Sequence, residues 1–222
     1  MKSYYLDEHA IDLNALQERL RSTDLIPSQK PLLDGMAQKA RSISKSGVTS
    51  LADLRSALKT QQSLTLLSRK SGVDASYLQL LRRAINGFFP KPRPLKEIDW
   101  LEADTINNLN KAGIKNTRQL FDAASGGTAE LIKQTGIGQK DAQELISISD
   151  LCRIQWVSPT FARVLAAAGF KNATAIAEAN PEALFQAITK ANRDAKFYKG
   201  AVGLRDIKRL VAAARYVPQD CE

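Results

Sequence analysis

A chain of 222 residues with 44% hydrophobic and 25% charged side chains has room for one to three small domains and the balance of an ordinary globular protein. No run approaches the roughly 18 apolar residues of a membrane span. Only Cys152 and Cys221 are present, which excludes a disulfide framework and points to a reducing, cytoplasmic setting. The formal net charge of +9 directs attention to polyanionic partners, nucleic acid before others.

In chain order, residues 1–24 read as an N-terminal arm and helix. The opening MKSYYLDEHAIDLN is acidic and has no apolar core of a secretory signal. The LNALQERL that follows has helical spacing, and its apolar face is available to dock on a partner or a second copy. Apolar residues then recur at three- and four-residue steps in LADLRSAL, YLQLLRRAI, AQELISI and IKRLVAAA, and no alternating strand pattern intervenes. The expected fold is all-α.

Charge is not spread evenly. Residues 1–34 carry a net −2, residues 35–96 a net +10, residues 97–189 a net −3 and residues 190–215 a net +6. Two basic blocks are thus divided by a mildly acidic one. Each basic block reads either as a polyanion-binding face or as a lysine-rich solvated surface.

The pattern repeats. IDWLEADTINNLNKAGIKN (98–116) and IQWVSPTFARVLAAAGFKN (154–172) align without gaps at an offset of 56 and share 7 of 19 residues. LLDGMAQKARSISKSGVTS (32–50) is a weaker copy. After each comes a small-residue turn and a helix: SGVDASYLQLL, TGIGQKDAQEL and GAVGLRDIKRL. The chain therefore reads as three tandem units over 25–90, 98–150 and 151–217, each of two helix–turn–helix halves. The first is divergent and basic. The proline-rich linker at 91–97 follows it, because three prolines within five residues of FFPKPRPLKE deny helix continuation.

Gly47, Gly113 and Gly169 each stand between a small residue and a hydrophobic one, with Thr49, Asn116 and Asn172 shortly after. Glycine in the left-handed conformation, a hydrophobic anchor and a new N-cap make a Schellman helix end, and the reading is structural. Gly136 and Gly138 differ. They bracket one apolar residue, Ile137, and precede Gln139 and Lys140. Without a β-carbon at either glycine a phosphate can approach the backbone, and the following helix N-terminus favours an anion.

LIKQTGIGQKDAQELI (131–146) resembles the helix-hairpin-helix motif, in which an apolar–Gly–apolar–Gly turn is followed three residues later by a small or apolar residue. The resemblance implies sequence-independent contact of Gly136, Gly138, Gln139 and Lys140 with a DNA backbone. The same segment also serves as a simple packing corner. The other turns depart from the motif. In Gly72–Val73–Asp74 a carboxylate replaces the second glycine and would repel phosphate. The third turn keeps only Gly203 in register, among Lys199, Arg205, Lys208 and Arg209. Trp100 and Trp156 stand where the first half-units would carry glycine, and both are expected to plug the core. From 98 to 218, including ADTINNLNKAGIKNTRQLF, DLCRI and AEANPEAL, the chain resembles an uncharacterised bacterial domain family of tandem helix-hairpin-helix units. That implies three double helix-hairpin-helix, SAM-like units and suggests DNA binding, with no known activity.

Signals for chemistry are weak. His9 is the only histidine, no metal-ligand spacing occurs, and no GxxxxGK[ST] loop is present. No metal or cofactor is expected. Lys140 stands where helix-hairpin-helix DNA glycosylases place a catalytic lysine, but the carboxylate those enzymes carry a little under twenty residues on is replaced by Trp156–Val157–Ser158–Pro159. The chain is expected not to be an enzyme. The leading expectation is a duplex DNA-binding module using Gly136, Gly138, Gln139, Lys140, Lys199, Gly203, Arg205 and Lys208, with Arg69, Lys70, Arg82 and Arg83 adding attraction from the first unit. The rival is a helical adaptor for a protein partner.

Overall fold

The structure, a computed structural model, describes residues 3–218. Cys221 and the other terminal residues lie outside it. Among the described residues there are 13 α-helices, joined by short 3-10 turns, and no β-strand. The fold is all-α, as the periodicity requires.

The chain forms two compact units. One spans residues 7–89, and the other joins residues 3–6 to residues 90–218. The 7–89 unit holds α1 (Leu13–Ser22), α2 (Met36–Lys45), α3 (Leu51–Leu58), α4 (Gln61–Ser71) and α5 (Ala75–Asn86). Its interior is leucine-rich, with Leu16, Leu20, Leu32, Leu54, Leu64 and Leu78 almost fully buried. The apolar face of α1, expected above as a docking surface, is spent on this core: Leu13, Leu16 and Leu20 are all buried. Helix starts are set locally. Ser50 and Asp53 form a capping box at α3, and Thr60 and Ser63 form one at α4. Thr49, expected as an N-cap, sits one residue too early. It donates to Asp53 instead, and Ser50 is the cap.

The second unit holds α6 (Ala103–Lys111), α7 (Thr117–Ala123), α8 (Gly127–Thr135), α9 (Gln139–Leu151), α10 (Pro159–Ala167), α11 (Ala173–Ala177), α12 (Pro181–Ala195) and α13 (Leu204–Ala214). One continuous core runs from Leu95 and Ile98 through Leu109, Leu145 and Leu165 to Val217. Gly113 and Gly169 are in the left-handed region, at φ 81° and 95°. The N–H of Ile114 reaches Leu109 C=O and that of Phe170 reaches Leu165 C=O, at 2.9 and 3.0 Å, which is the Schellman closure read from the sequence.

An extended pairing recurs in both units. Asp12 bridges Ser50, and Pro94 bridges Asn116, each time placing an incoming strand-like residue against the N-cap of the next helix. The proline segment is therefore not a loose tether along its length. Leu95 is buried, and its N–H donates to Lys115 C=O at 2.9 Å.

The DLCRI junction is a buried hub. Arg153 has no exposed side-chain surface and pairs with Asp150 at 2.5 Å. Its other donors reach the carbonyls of Ser3, Tyr4 and Pro218. Asp150 also accepts the Ala173 N–H at 2.6 Å, so it helps cap α11. Tyr4, in the strap of residues 3–6, is buried against Phe121 and hydrogen-bonds Thr117 at 3.0 Å.

Candidate functional site

The 135–140 turn is built by two glycines with different reasons to be there. α8 ends at Gly136, whose φ of 71° is left-handed and whose N–H reaches Ile132 C=O at 2.7 Å. Glycine is the residue that takes this conformation at least cost. Ile137 then turns into the core and is 4% exposed. Gly138 starts α9 in ordinary extended backbone, φ −67° and ψ 153°, and a β-carbon built on it would meet nothing within 4 Å. Neither conformation nor packing calls for glycine at 138. No side chain caps α9, and Gln139 and Lys140 at its first turn are exposed.

The acidic residues behind this turn face inward partners. Asp141 accepts the Thr105 hydroxyl at 2.7 Å. Glu144 accepts the Trp100 indole N–H at 2.7 Å and pairs with Arg163 at 3.3 Å. The Arg163 guanidinium lies between aromatic faces, 4.6 Å from the Trp100 ring centroid and 4.1 Å from that of Phe197. Lys140, Arg163 and Lys171 line one groove of about 590 Å³ with Glu144 as its carboxylate. Arg163 and Lys171 were not among the residues singled out from the sequence, because they come to Lys140 across helices and no local spacing announces it.

The 199–205 turn is organised differently. α12 closes on Lys196 at φ 53°, and Asn192 clamps the backbone of Tyr198 through both of its side-chain atoms at 2.8 Å. Gly203 is extended and starts α13, but its N–H donates to Asp206 at 3.0 Å. A carboxylate from the helix's own first turn thus answers the donor that a phosphate would seek. Lys199 and Arg205 are exposed, and Lys208 pairs with Glu182 at 2.9 Å across the surface. The hydrogen bond from Lys208 holds the Glu182 carboxyl below its ordinary range.

Trp156 corrects the expectation of a core plug. It is 51% exposed, in left-handed backbone at φ 72°, with the Arg209 guanidinium 4.4 Å from its ring centroid. Trp100 is half-buried. The two tryptophans occupy matching places in the 98–116 and 154–172 segments, and Glu144 and Arg209 match when Gly138 is set on Gly203. Each tryptophan therefore meets the same helix position, a carboxylate in one case and a cation in the other. Both rings carry a guanidinium over one face, so what differs at Trp156 is its left-handed backbone and an arginine in the place where Glu144 takes the Trp100 N–H.

In the 7–89 unit the four chosen cations do not form one cluster. Arg82 reaches Leu58 C=O at 3.4 Å and lines a cleft of about 390 Å³ with Arg55, Lys59 and Glu8. Arg55 pairs with Glu8. Arg69 and Lys70 lie in the last turn of α4, where cations complement the helix dipole, and Arg83 is exposed on α5. Arg55 and Lys59 were not singled out from the sequence, although both lie in its basic block. Asp74 N-caps α5, accepting the N–H of Ser76 at 2.7 Å, which is a structural reason for a carboxylate in that turn. Those hydrogen bonds hold its carboxyl below the ordinary range.

Cys152 is buried in the core of the second unit, and burial pushes its thiol up to about 12, leaving it an inert side chain. Among the described residues, no helix is long and apolar enough to cross a membrane. Neither the curated proteins nor the solved structures compared with the chain match it. A protein-family profile, the domain of unknown function DUF4332, matches residues 101–217, more than half of the chain, and the chain belongs to that family.

Proposed function

We propose that the chain is a non-enzymatic, sequence-independent DNA-binding protein built of tandem helix-hairpin-helix units. In this reading the 135–140 turn grips a backbone phosphate. Gly138, Gln139 and Lys140 provide N–H groups and a cation, and Arg163 and Lys171 extend the contact along the adjoining groove. The observation that carries the reading is Gly138. It is a glycine without a conformational or packing need, at an uncapped helix N-terminus beside an exposed lysine. A bare backbone at that point makes room for something outside the chain. The inward tie of Asp141 to Thr105 supports it further, because it draws negative charge away from the turn.

The 199–205 turn contributes Lys199 and Arg205 as cations rather than a backbone cradle, since Asp206 occupies the Gly203 N–H. The 7–89 unit adds long-range attraction through Arg55, Lys59, Arg82, Arg83, Arg69 and Lys70. The test is a titration of the full chain on duplex DNA over a range of salt. With about five phosphate contacts the log–log slope is expected at about −4 to −5, and Lys140→Gln should reduce its magnitude by about 1. Absence of binding at roughly 50 mM salt would overturn the reading.

A further inference from the structure

Trp156 is placed where the fold gains little from it. Its backbone is left-handed, at φ 72°, a region strained for any residue with a β-carbon. Half of the residue is in solvent, whereas Trp100 in the matching place is less exposed and bonded through its N–H. A turn that needed only to reverse the chain is better served by glycine. Here an indole is kept, and it is held in place by Arg209 over its ring.

The surroundings narrow what such an indole meets. It borders a hollow of about 260 Å³ whose walls include Phe161, Tyr198 and Val202, with Asp206 and Arg209 as its charged residues. Val202 belongs to the 199–205 turn, whose Lys199 and Arg205 are exposed. The Nε–H of Arg209, at the edge of the hollow, is shut away from water with no acceptor. The 190–215 segment carries a net +6. An anionic chain bearing flat rings matches the exposed indole and the cations of the turn: ring against indole, phosphate against lysine and arginine.

We propose that Trp156 stacks on an unpaired nucleobase while Lys199 and Arg205 attract the adjoining phosphate, giving the protein a preference for gapped or forked DNA over fully paired duplex. The proposal rests on the DNA-binding reading above. It involves one base rather than a tract, because among the described residues Trp156 is the one large aromatic that is exposed, and the aromatic content is only 6%.

The experiment compares the affinity of the full chain for a blunt duplex and for the same duplex carrying a single-stranded fork, at fixed salt. Trp156→Gly, which suits the left-handed backbone, removes the ring without straining the fold. It should weaken fork binding on the order of tenfold and leave blunt-duplex affinity unchanged, and Trp156→Tyr should retain most of the preference. Fluorine NMR of fluorotryptophan-labelled protein gives an independent reading: the Trp156 resonance, assigned by its loss in Trp156→Gly, should shift with forked DNA and not with blunt duplex. Equal affinity of Trp156→Gly and the parent for forked DNA, or a Trp156 resonance unmoved by it, overturns the stacking proposal and leaves duplex binding standing. Failure of the parent chain to bind either DNA overturns both.

Discussion

At the scale of single residues, Gly136 and Gly138 are neighbours with opposite roles, and substitution should separate them. Gly136 has a φ of 71°, so a β-carbon there is strained whatever the space around it. Gly136→Ala is expected to lower stability by about 1 kcal/mol, seen as a shift of the urea midpoint at unchanged slope. Gly138 is extended and has open space at its β-carbon position. Gly138→Ala should leave stability unchanged or raise it by up to about 1 kcal/mol, through the lost freedom of the unfolded chain. Its effect belongs to the ligand: a methyl group on the phosphate path should weaken duplex DNA binding by about tenfold, equivalent to about 1.4 kcal/mol. A Gly138→Ala protein that binds DNA like the parent would remove the observation on which the functional reading stands.

At the scale of helices, the ends do much of the specifying, and they respond to pH and to charge. Asp53 accepts from the N–H groups of Ser50 and Thr49 and from the Thr49 hydroxyl, and these bonds hold its carboxyl at about 2 against an ordinary 3.8. A depressed carboxyl contributes in its ionised form, so the contribution is complete above about pH 4 and is lost as the pH falls toward 2. Urea midpoints followed from about pH 5 to about pH 2 should fall less steeply in Asp53→Asn than in the parent, and Ser50→Ala should cost about 1 kcal/mol at neutral pH. The end of α13 poses a different choice. Asp206 stabilises the helix by taking the Gly203 N–H, and the same carboxylate repels a phosphate there. Asp206→Ala is expected to lose about 0.5–1 kcal/mol of stability and to tighten DNA binding, a trade that calorimetry and a binding titration on one preparation would reveal. These local devices were legible before any coordinates: the Schellman glycines, the caps at Asn116 and Asn172, and the apolar anchor Ile137 all follow from short spacings. The cluster of Trp100, Glu144, Arg163 and Phe197 was not, since its members come from separate segments and meet through packing. Trp156 was misread for a related reason. A tryptophan in an apolar pattern reads as core, and nothing in the local sequence announces the left-handed backbone that leaves this ring half in solvent.

At the scale of the whole chain, residues 3–6 belong to the unit that resumes at residue 90, so the chain passes from that unit into the 7–89 unit and returns. What holds the strap is buried. Tyr4 is 4% exposed, its ring meets Phe121 edge-on at 5.6 Å, and burial pushes its hydroxyl far above its ordinary value. Arg153 ties the carbonyls of Ser3 and Tyr4 to Asp150 and, through Asp150, to the start of α11. A truncated Tyr4 therefore leaves a hole in a unit whose main segment begins more than 80 positions away in sequence. Both tryptophans of the chain, Trp100 and Trp156, lie in that unit, so indole fluorescence reports on it directly. Tyr4→Ala is expected to lower its fluorescence-detected stability by about 3 kcal/mol, and Tyr4→Phe, which loses only the bond to Thr117, by about 1 kcal/mol. Removal of residues 1–6 should do at least as much as Tyr4→Ala, because Arg153 then loses two carbonyl acceptors while still buried beside Asp150. An indole-detected midpoint that stays in place after both changes would mean that the strap rests on the unit without stabilising it.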